Sequence, residues 1–204
     1  MGLLSSTVAL TRYRVDGRLE GAVLEKTAEA LKANAIVEID DDPSEKSVGW
    51  TAHAAPFAPD FEGSSFAVGS YMVFSMRIDK KAIPAKVVRK LTDREIARRL
   101  AESGRDGLSR AEKQDVREAV LDRLATRIPA TPNVYDVVWN HEAETLWFFS
   151  TQKAANEELE TLFARSFGLT LVRLFPYTLA DLTAGLSPTE KDDLAALSPI
   201  TLRE

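Results

Sequence analysis

Near the start of the chain, residues Thr7 to Arg14 (TVALTRYR) set β-branched and aromatic side chains in rough alternation with polar ones, the period of a half-buried strand. From Leu19 to Ala33 the apolar positions Leu19, Val23 and Leu31 fall at helical spacing, so a helix is predicted there. The acidic run Glu38-Ile39-Asp40-Asp41-Asp42-Pro43 reads as a solvated turn, and Val48 to Thr51 as a short strand. Ala52 to Ser65, with Pro56, Pro59 and Gly63, is predicted to be a loop. Phe66 to Ile78 (FAVGSYMVFSMRI) is the strongest strand pattern of the first half, dense in aromatic and β-branched residues and interrupted at Gly69.

The period then changes. Pro84 is tolerated in a first helical turn, and the pattern predicts a helix from there to about Ser103, stopped by Gly104. Ser109-Arg110-Ala111-Glu112 fits a capping box, and Val116, Val120, Leu121, Leu124 and Ile128 then make one apolar wedge before Pro129 and Pro132 end the helix. Val134 to Trp139 returns to a strand, with Asn140 to Glu144 as a turn and Thr145 to Ser150 as its hairpin partner. Glu157 to Phe167 is predicted helical with Gly168 as its stop, and Leu169 to Phe175 is a last strand. Beyond Pro176 only a short helix is expected, opened by a second capping box at Ser187-Pro188-Thr189-Glu190. The order implies an α+β fold. Two strand clusters, strand-helix-strand-strand and strand-strand-helix-strand, are joined by a central pair of helices. The expected organisation is one domain over residues 1–180, with the helical pair at 84–128, and a peripheral segment at 181–204.

Composition narrows the chemistry. Among the 204 residues there is no cysteine, so no disulfide, thiol nucleophile or thiolate-bound metal is available, and His53 and His141 lie far apart in sequence. No cofactor and no metal site are expected. No apolar run is long enough to span a bilayer, and the start MGLLSSTVALTRYR lacks the pattern of an export signal, so a cytoplasmic location without membrane contact is expected. The net charge of −5 argues against binding a polyanion, but it hides a segregation. Between Arg77 and Arg127 fifteen Lys and Arg stand against nine Asp and Glu, a balance of +6, which leaves −11 for the remainder. Such polarity suits a protein that meets polyanion on one surface, and would also serve electrostatic self-complementarity in a dimer.

Within the basic segment, Lys86, Lys90, Arg94 and Arg98 recur every four residues along one helix ridge. At about 1.5 Å rise per residue their spacing is roughly 6 Å, comparable to that of phosphates along a nucleic-acid strand. Arg110, Lys113 and Arg117 recur at three- and four-residue spacing on the second helix, while Glu112, Asp115, Glu118 and Asp122 fall on a different side. These seven cations are the candidate DNA-binding residues, acting on phosphates without reading bases. The competing reading is a solvated surface whose cations pair with nearby carboxylates, the commoner fate of Lys and Arg on amphipathic helices.

Several stretches, in order, resemble the RdgC family of bacterial DNA-binding proteins. Asp79-Lys80-Lys81-Ala82-Ile83-Pro84-Ala85-Lys86-Val87-Val88 is similar to that family's E-x-K-I-L-P-x-x-V-V, and the run from Arg110 to Val120 (RAEKQDVREAV) to its E-K-x-x-L-K-D-E-V helix. Val48-Gly49-Trp50 stands in the place of the family's G-W, and Val138-Trp139, Ser150 to Ala155 and Phe167-Gly168-Leu169 follow in register. The resemblance implies a dimer that closes into a ring around duplex DNA, with basic residues facing the hole and little sequence preference. It also implies a nucleoid-associated role in recombination and replication that limits the access of recombinase, and hence contact with recombination proteins. On the matched positions it points first to Lys86, Lys113 and Arg117; Lys90, Arg94, Arg98 and Arg110 rest on the ridge alone. Two departures bear on ring closure. Family members are longer, so elements that help close the ring there are expected to be missing or replaced. The family's L-P-R-A-F is here Ala125-Thr126-Arg127-Ile128-Pro129, which keeps the arginine and puts Pro129 at the phenylalanine position.

A metal-dependent nuclease is the weaker alternative, because two-metal cleavage needs converging carboxylates and the dense cluster Glu38, Asp40, Asp41, Asp42 and Glu45 falls in an exposed turn. A protein-interaction module that keeps the fold without ring-type DNA binding is the runner-up. Trp50, Trp139, Trp147, Phe148 and Phe149 could stack on bases, but their strand spacing assigns them to the core. Gly104 and Gly107 punctuate a helix-helix turn and do not form a phosphate loop. The chain is therefore expected to be a non-enzymatic, homodimeric DNA binder.

Overall fold

The structure, a computed structural model, describes residues 2–62 and 65–197; Gly63 of the expected loop and the tail after residue 197 lie outside the described residues. In chain order the elements are β1 (Thr11–Asp16), α1 (Val23–Ala33), β2 (Lys46–Thr51), β3 (Ala67–Val68), β4 (Tyr71–Lys80), α2 (Ala85–Ser103), α3 (Arg110–Ala125), β5 (Thr131–Asn140), β6 (Thr145–Phe148), α4 (Lys153–Phe167), β7 (Thr170–Leu174), α5 (Pro176–Thr183) and α6 (Pro188–Ala196). The strand pairings are antiparallel and a helical pair separates the two strand clusters, so the fold is α+β. Among the described residues no helix is long and apolar enough to cross a membrane.

The chain divides into two compact units. The first comprises Met1–Ala33, Phe61–Phe74 and Tyr135–Glu204. There β1 lies between β6 and β7, with Tyr13 opposite Leu146 on one side and Arg173 on the other, and β6 pairs in turn with Val137 to Asn140 of β5. Tyr13, Val15, Leu146 and Phe148 are buried while the residues between them are not, as period two requires of a sheet covered on one face. On the covered side Leu159, Leu162, Phe163 and Phe167 of α4 form the buried stripe, and Phe163 meets Trp139 edge-on at 5.0 Å. The buried Tyr13 hydroxyl lies 2.6 Å from Oδ1 of Asn156 and 3.0 Å from Oε1 of Glu160, and its single hydrogen, shared between these two acceptors, ties β1 to α4.

The second unit comprises Asn34–Asp60 and Ser75–Val134. β2 pairs with β4 from Lys46 opposite Lys80 to Thr51 opposite Ser75. Gly49 is required here, because a Cβ would lie 2.5 Å from the backbone of Ile36. That close approach lets Ile36 N–H donate to the Trp50 carbonyl and Trp50 N–H to the Asn34 carbonyl, both at 2.9 Å, over a wholly buried indole.

Five expectations need correction. Phe66 to Ile78 is not one strand: Gly69, at φ +61°, turns the chain so that Val68 pairs with Tyr71 and β3 folds back on β4. The first helix starts at Val23, not Leu19, and the second central helix ends at Ala125, with Ile128 packing from beyond it. The helix expected from Glu157 starts a turn earlier, at Lys153. The stretch after Pro176 holds a second short helix, α5, for which proline in the first turn supplies the start.

Candidate nucleic-acid interface

The predicted cations sit on a helical hairpin in the second unit. α2 is about 28 Å long at 1.5 Å per residue. It ends at Gly104, whose left-handed φ of 62° lets its N–H close on the Leu100 carbonyl. Ser109 caps α3 reciprocally with Glu112, as its sequence predicts. Val88, Val120 and Leu124 meet in a small core edged by Ile83, Leu91, Leu121 and Ile128, so the start of α2 lies against the end of α3 and the pair is antiparallel. The buried Lys81 locks this end: its Nζ donates to the carbonyls of Asp40 at 3.0 Å and Asp42 at 2.6 Å, and to that of Ala125 at the C-terminus of α3. A cation there also complements the negative end of the helix dipole.

Charge on the hairpin is divided between paired and unpaired groups. Arg98 donates to Glu95 at 2.6 Å and to Glu102 at 2.7 Å, Arg105 to Glu112 at 2.6 Å, and Arg99 lies 3.4 Å from Glu95. Hydrogen bonds from Arg98 hold the Glu95 carboxyl down to about 2, and those from Arg105, with the Ser109 N–H, do the same for Glu112. Arg98 is correspondingly raised, through its hydrogen bonds to Glu95 and Glu102. By contrast Lys86, Lys90, Arg94, Arg110, Lys113 and Arg117 are exposed and have no carboxylate partner among the described residues. Arg98 is thus the one member of the predicted seven that neighbouring acids already neutralise. Its partners stand three residues before and four after it, a signal the sequence carried.

The structure does not gather the cations on one face. A four-residue step advances about 40° around a helix of 3.6 residues per turn, so the row from Lys86 to Arg98 winds roughly a third of the way round α2. Lys86 and Lys90 project opposite Val88, away from α3, and the later two swing sideways. On α3, Lys113 and Arg117 lie close to the meridian of Val116 and Val120, on the side facing α2. Arg117 accordingly lines a groove of roughly 320 Å³ with Arg89, Thr92 and Asp93 above a floor of Ile83, Val88 and Leu121. Sequence reading missed Arg89. Its charge is only loosely engaged, 3.9 Å from Asp93, and the hydroxyl of Thr92 in the same groove is buried with no hydrogen-bond partner among the described residues.

The acidic run has structural duties. Asp40 accepts the Ala130 N–H at 2.8 Å, Asp42 the Ser44 N–H at 2.7 Å, and Glu38 lies 2.9 Å from the Arg77 guanidinium. The hydrogen bonds from Ser44 lower the Asp42 carboxyl. Among the described residues no three His, Asp or Glu side chains are grouped so as to hold a metal ion. Of the aromatic residues assigned to the core, Trp50, Trp139, Phe148 and Phe149 are buried, and Trp147 is not.

A family model described as "Putative exonuclease, RdgC" matches residues 9–184. No curated protein matches the chain.

Proposed function

The chain belongs to the RdgC family, whose model covers most of its 204 residues, and from that membership we propose a non-enzymatic, sequence-independent DNA-binding protein that acts as a homodimer in bacterial recombination or replication, on the nucleoid. DNA is held by its phosphates, and recombinase access is limited by occupancy. The observation that carries this reading is the set of six exposed cations on α2 and α3 left without carboxylate partners, beside Arg98, Arg99 and Arg105, which are paired. A free cation gains by releasing a counterion from DNA, whereas a paired one must first give up its carboxylate. The non-enzymatic part is supported by the hydrogen bonds and ion pair that occupy Glu38, Asp40 and Asp42.

The test is duplex affinity across a salt series, by fluorescence anisotropy. The variant Lys86→Ala/Lys113→Ala/Arg117→Ala is expected to lower the slope of log K against log salt by about 0.9 for each phosphate it no longer neutralises, and Arg98→Ala to change it less. An unchanged slope in the triple variant sinks the hairpin as the DNA surface. Magnesium-dependent loss of labelled DNA, abolished by Asp40→Asn/Asp42→Asn, would overturn the non-enzymatic reading. The second reading is a protein-interaction module, favoured by the apolar floor beneath Arg89 and Arg117; an absence of binding at low salt would select it.

A further inference from the structure

The helical hairpin leaves unused an aromatic and basic strip on the sheet of the first unit. β1 and β6 alternate in burial, so while Tyr13, Val15, Leu146 and Phe148 face the core, Arg12, Arg14 and Trp147 emerge on the opposite side. The strand register sets Arg12 directly across from Trp147, where cross-strand side chains are within reach of each other. Tyr71, at the start of β4, reaches the same place: its ring centroid is 6.0 Å from that of Trp147 with the planes 32° apart. Tyr71 and Trp147 are 38% and 36% exposed. Arg14 lies 3.6 Å from Asp16, whereas Arg12 has no ion-pair partner among the described residues.

Two large rings set side by side, each more than a third exposed, form an apolar grouping at the surface, and exposed apolar groupings mark binding surfaces. The ligand must offer flat faces to the rings and negative charge to Arg12. Unpaired bases on a phosphate backbone do both; bases inside a duplex are already stacked and out of reach. Tryptophan, tyrosine and arginine also anchor protein interfaces. The free guanidinium of Arg12 and the placing of Asp16 at the far end of β1, against Arg14, favour a polyanion at the centre of the strip.

We propose that Trp147, Tyr71 and Arg12 form a stacking platform for unpaired bases of single-stranded DNA, with Arg12 taking the adjoining phosphate. The inference shares its ligand class with the DNA-binding reading above and rests on different residues.

The experiment uses the full chain and three fluorescein-labelled probes of equal length: a thymidine oligonucleotide, its abasic counterpart and a duplex. Trp147→Ala and Tyr71→Ala are each expected to weaken binding of the thymidine strand roughly 5- to 150-fold. Duplex affinity should stay within about twofold, and the abasic strand should bind weakly and ignore either change. Trp147→Phe keeps a ring and should retain most of the affinity, which guards against a folding defect. Because Trp50 and Trp139 are buried, quenching of intrinsic fluorescence by the thymidine strand should vanish in the Trp147 variants. The proposal is overturned if Trp147→Ala binds the thymidine strand as wild type does, or if the abasic strand binds equally well. It is also overturned if Trp147→Ala/Tyr71→Ala turns a dimer into a monomer in sedimentation velocity while single-strand affinity holds, since the face is then an interface between copies. Loss of duplex binding in the Lys86/Lys113/Arg117 variant, with single-strand binding intact, speaks to the hairpin alone and keeps the two readings separate.

Discussion

Replacing Asp79 by alanine removes one half of an almost fully buried charge pair. Arg77 and Asp79 are 4% and 1% exposed and stand two apart on β4, so they share a face of the strand. The guanidinium donates twice, from Nε to Oδ1 at 2.7 Å and from Nη2 to Oδ2 at 2.6 Å. After the substitution it stays buried against the Phe57 ring, 5.1 Å from the centroid, with Glu38 alone among the described residues left to meet its charge. Glu38 is a poor substitute: its side chain is 61% exposed, and although its carboxylate lies 2.9 Å from Nη1, that nitrogen makes no hydrogen bond of acceptable geometry. Removing one partner of a buried pair costs about 3–5 kcal/mol, and the residual attraction of Glu38 places the expectation near the lower end. For a chain of this length that corresponds to a fall of roughly 6–12 °C in melting temperature. Arg77→Met/Asp79→Leu, which leaves no buried charge behind, should cost less than Asp79→Ala alone. Urea titrations followed by tryptophan fluorescence include a reporter in the same unit, since Trp50 pairs with Met76 on the adjacent strand. A cost below about 1 kcal/mol for Asp79→Ala, or a double variant as destabilised as the sum of the singles, refutes the reasoning.

Gly49→Ala forces a Cβ to within 2.5 Å of the Ile36 backbone and should destabilise by about 1–3 kcal/mol in the same titration; an unchanged midpoint would mean the two segments part freely. Tyr13→Phe removes a hydrogen bond from the buried Oδ1 of Asn156 and should cost about 1–3 kcal/mol. Burial first, then the charge of Glu160, push the Tyr13 phenol above its ordinary 10.0, so the unfolded chain ionises before the folded one. Wild-type stability should therefore decline as the pH climbs past 10, and the phenylalanine variant should lack that component when urea midpoints are compared from pH 8 to 11. Glu95 and Glu112, at about 2 against an ordinary 4.5, contribute stability that is complete above 4.5 and lost as the pH falls toward 2. Carboxyl NMR titrations should place both midpoints near 2, and midpoints near 4.5 would show that the pairs with Arg98 and Arg105 do not form in solution.

What lay within a few residues was legible without coordinates. The caps at Ser109 and Ser187, the stops at Gly104 and Gly168, and the central helices are local events, because a cap is satisfied within three residues and a helical bond within four. The division of the cations was partly legible for the same reason: Arg98 has acids at helical-neighbour spacing, and Lys113 and Arg117 have none. Other features needed the tertiary structure. Period two reads alike through a strand and through a two-residue turn, so Gly69 passed for an interruption and not a reversal. The run from Thr145 to Phe149 offers aromatic side chains to both faces, and which face became core was decided by Phe163 and Phe167 of α4 packing on the side of Trp139, which leaves Trp147 on the partly exposed side. Lys81 belongs to a basic stretch in the sequence, yet it is buried under carbonyls from positions 40, 42 and 125. Whether a charge meets solvent or a distant carbonyl depends on which segments the fold brings together, and spacing along one strand or helix carries no record of that.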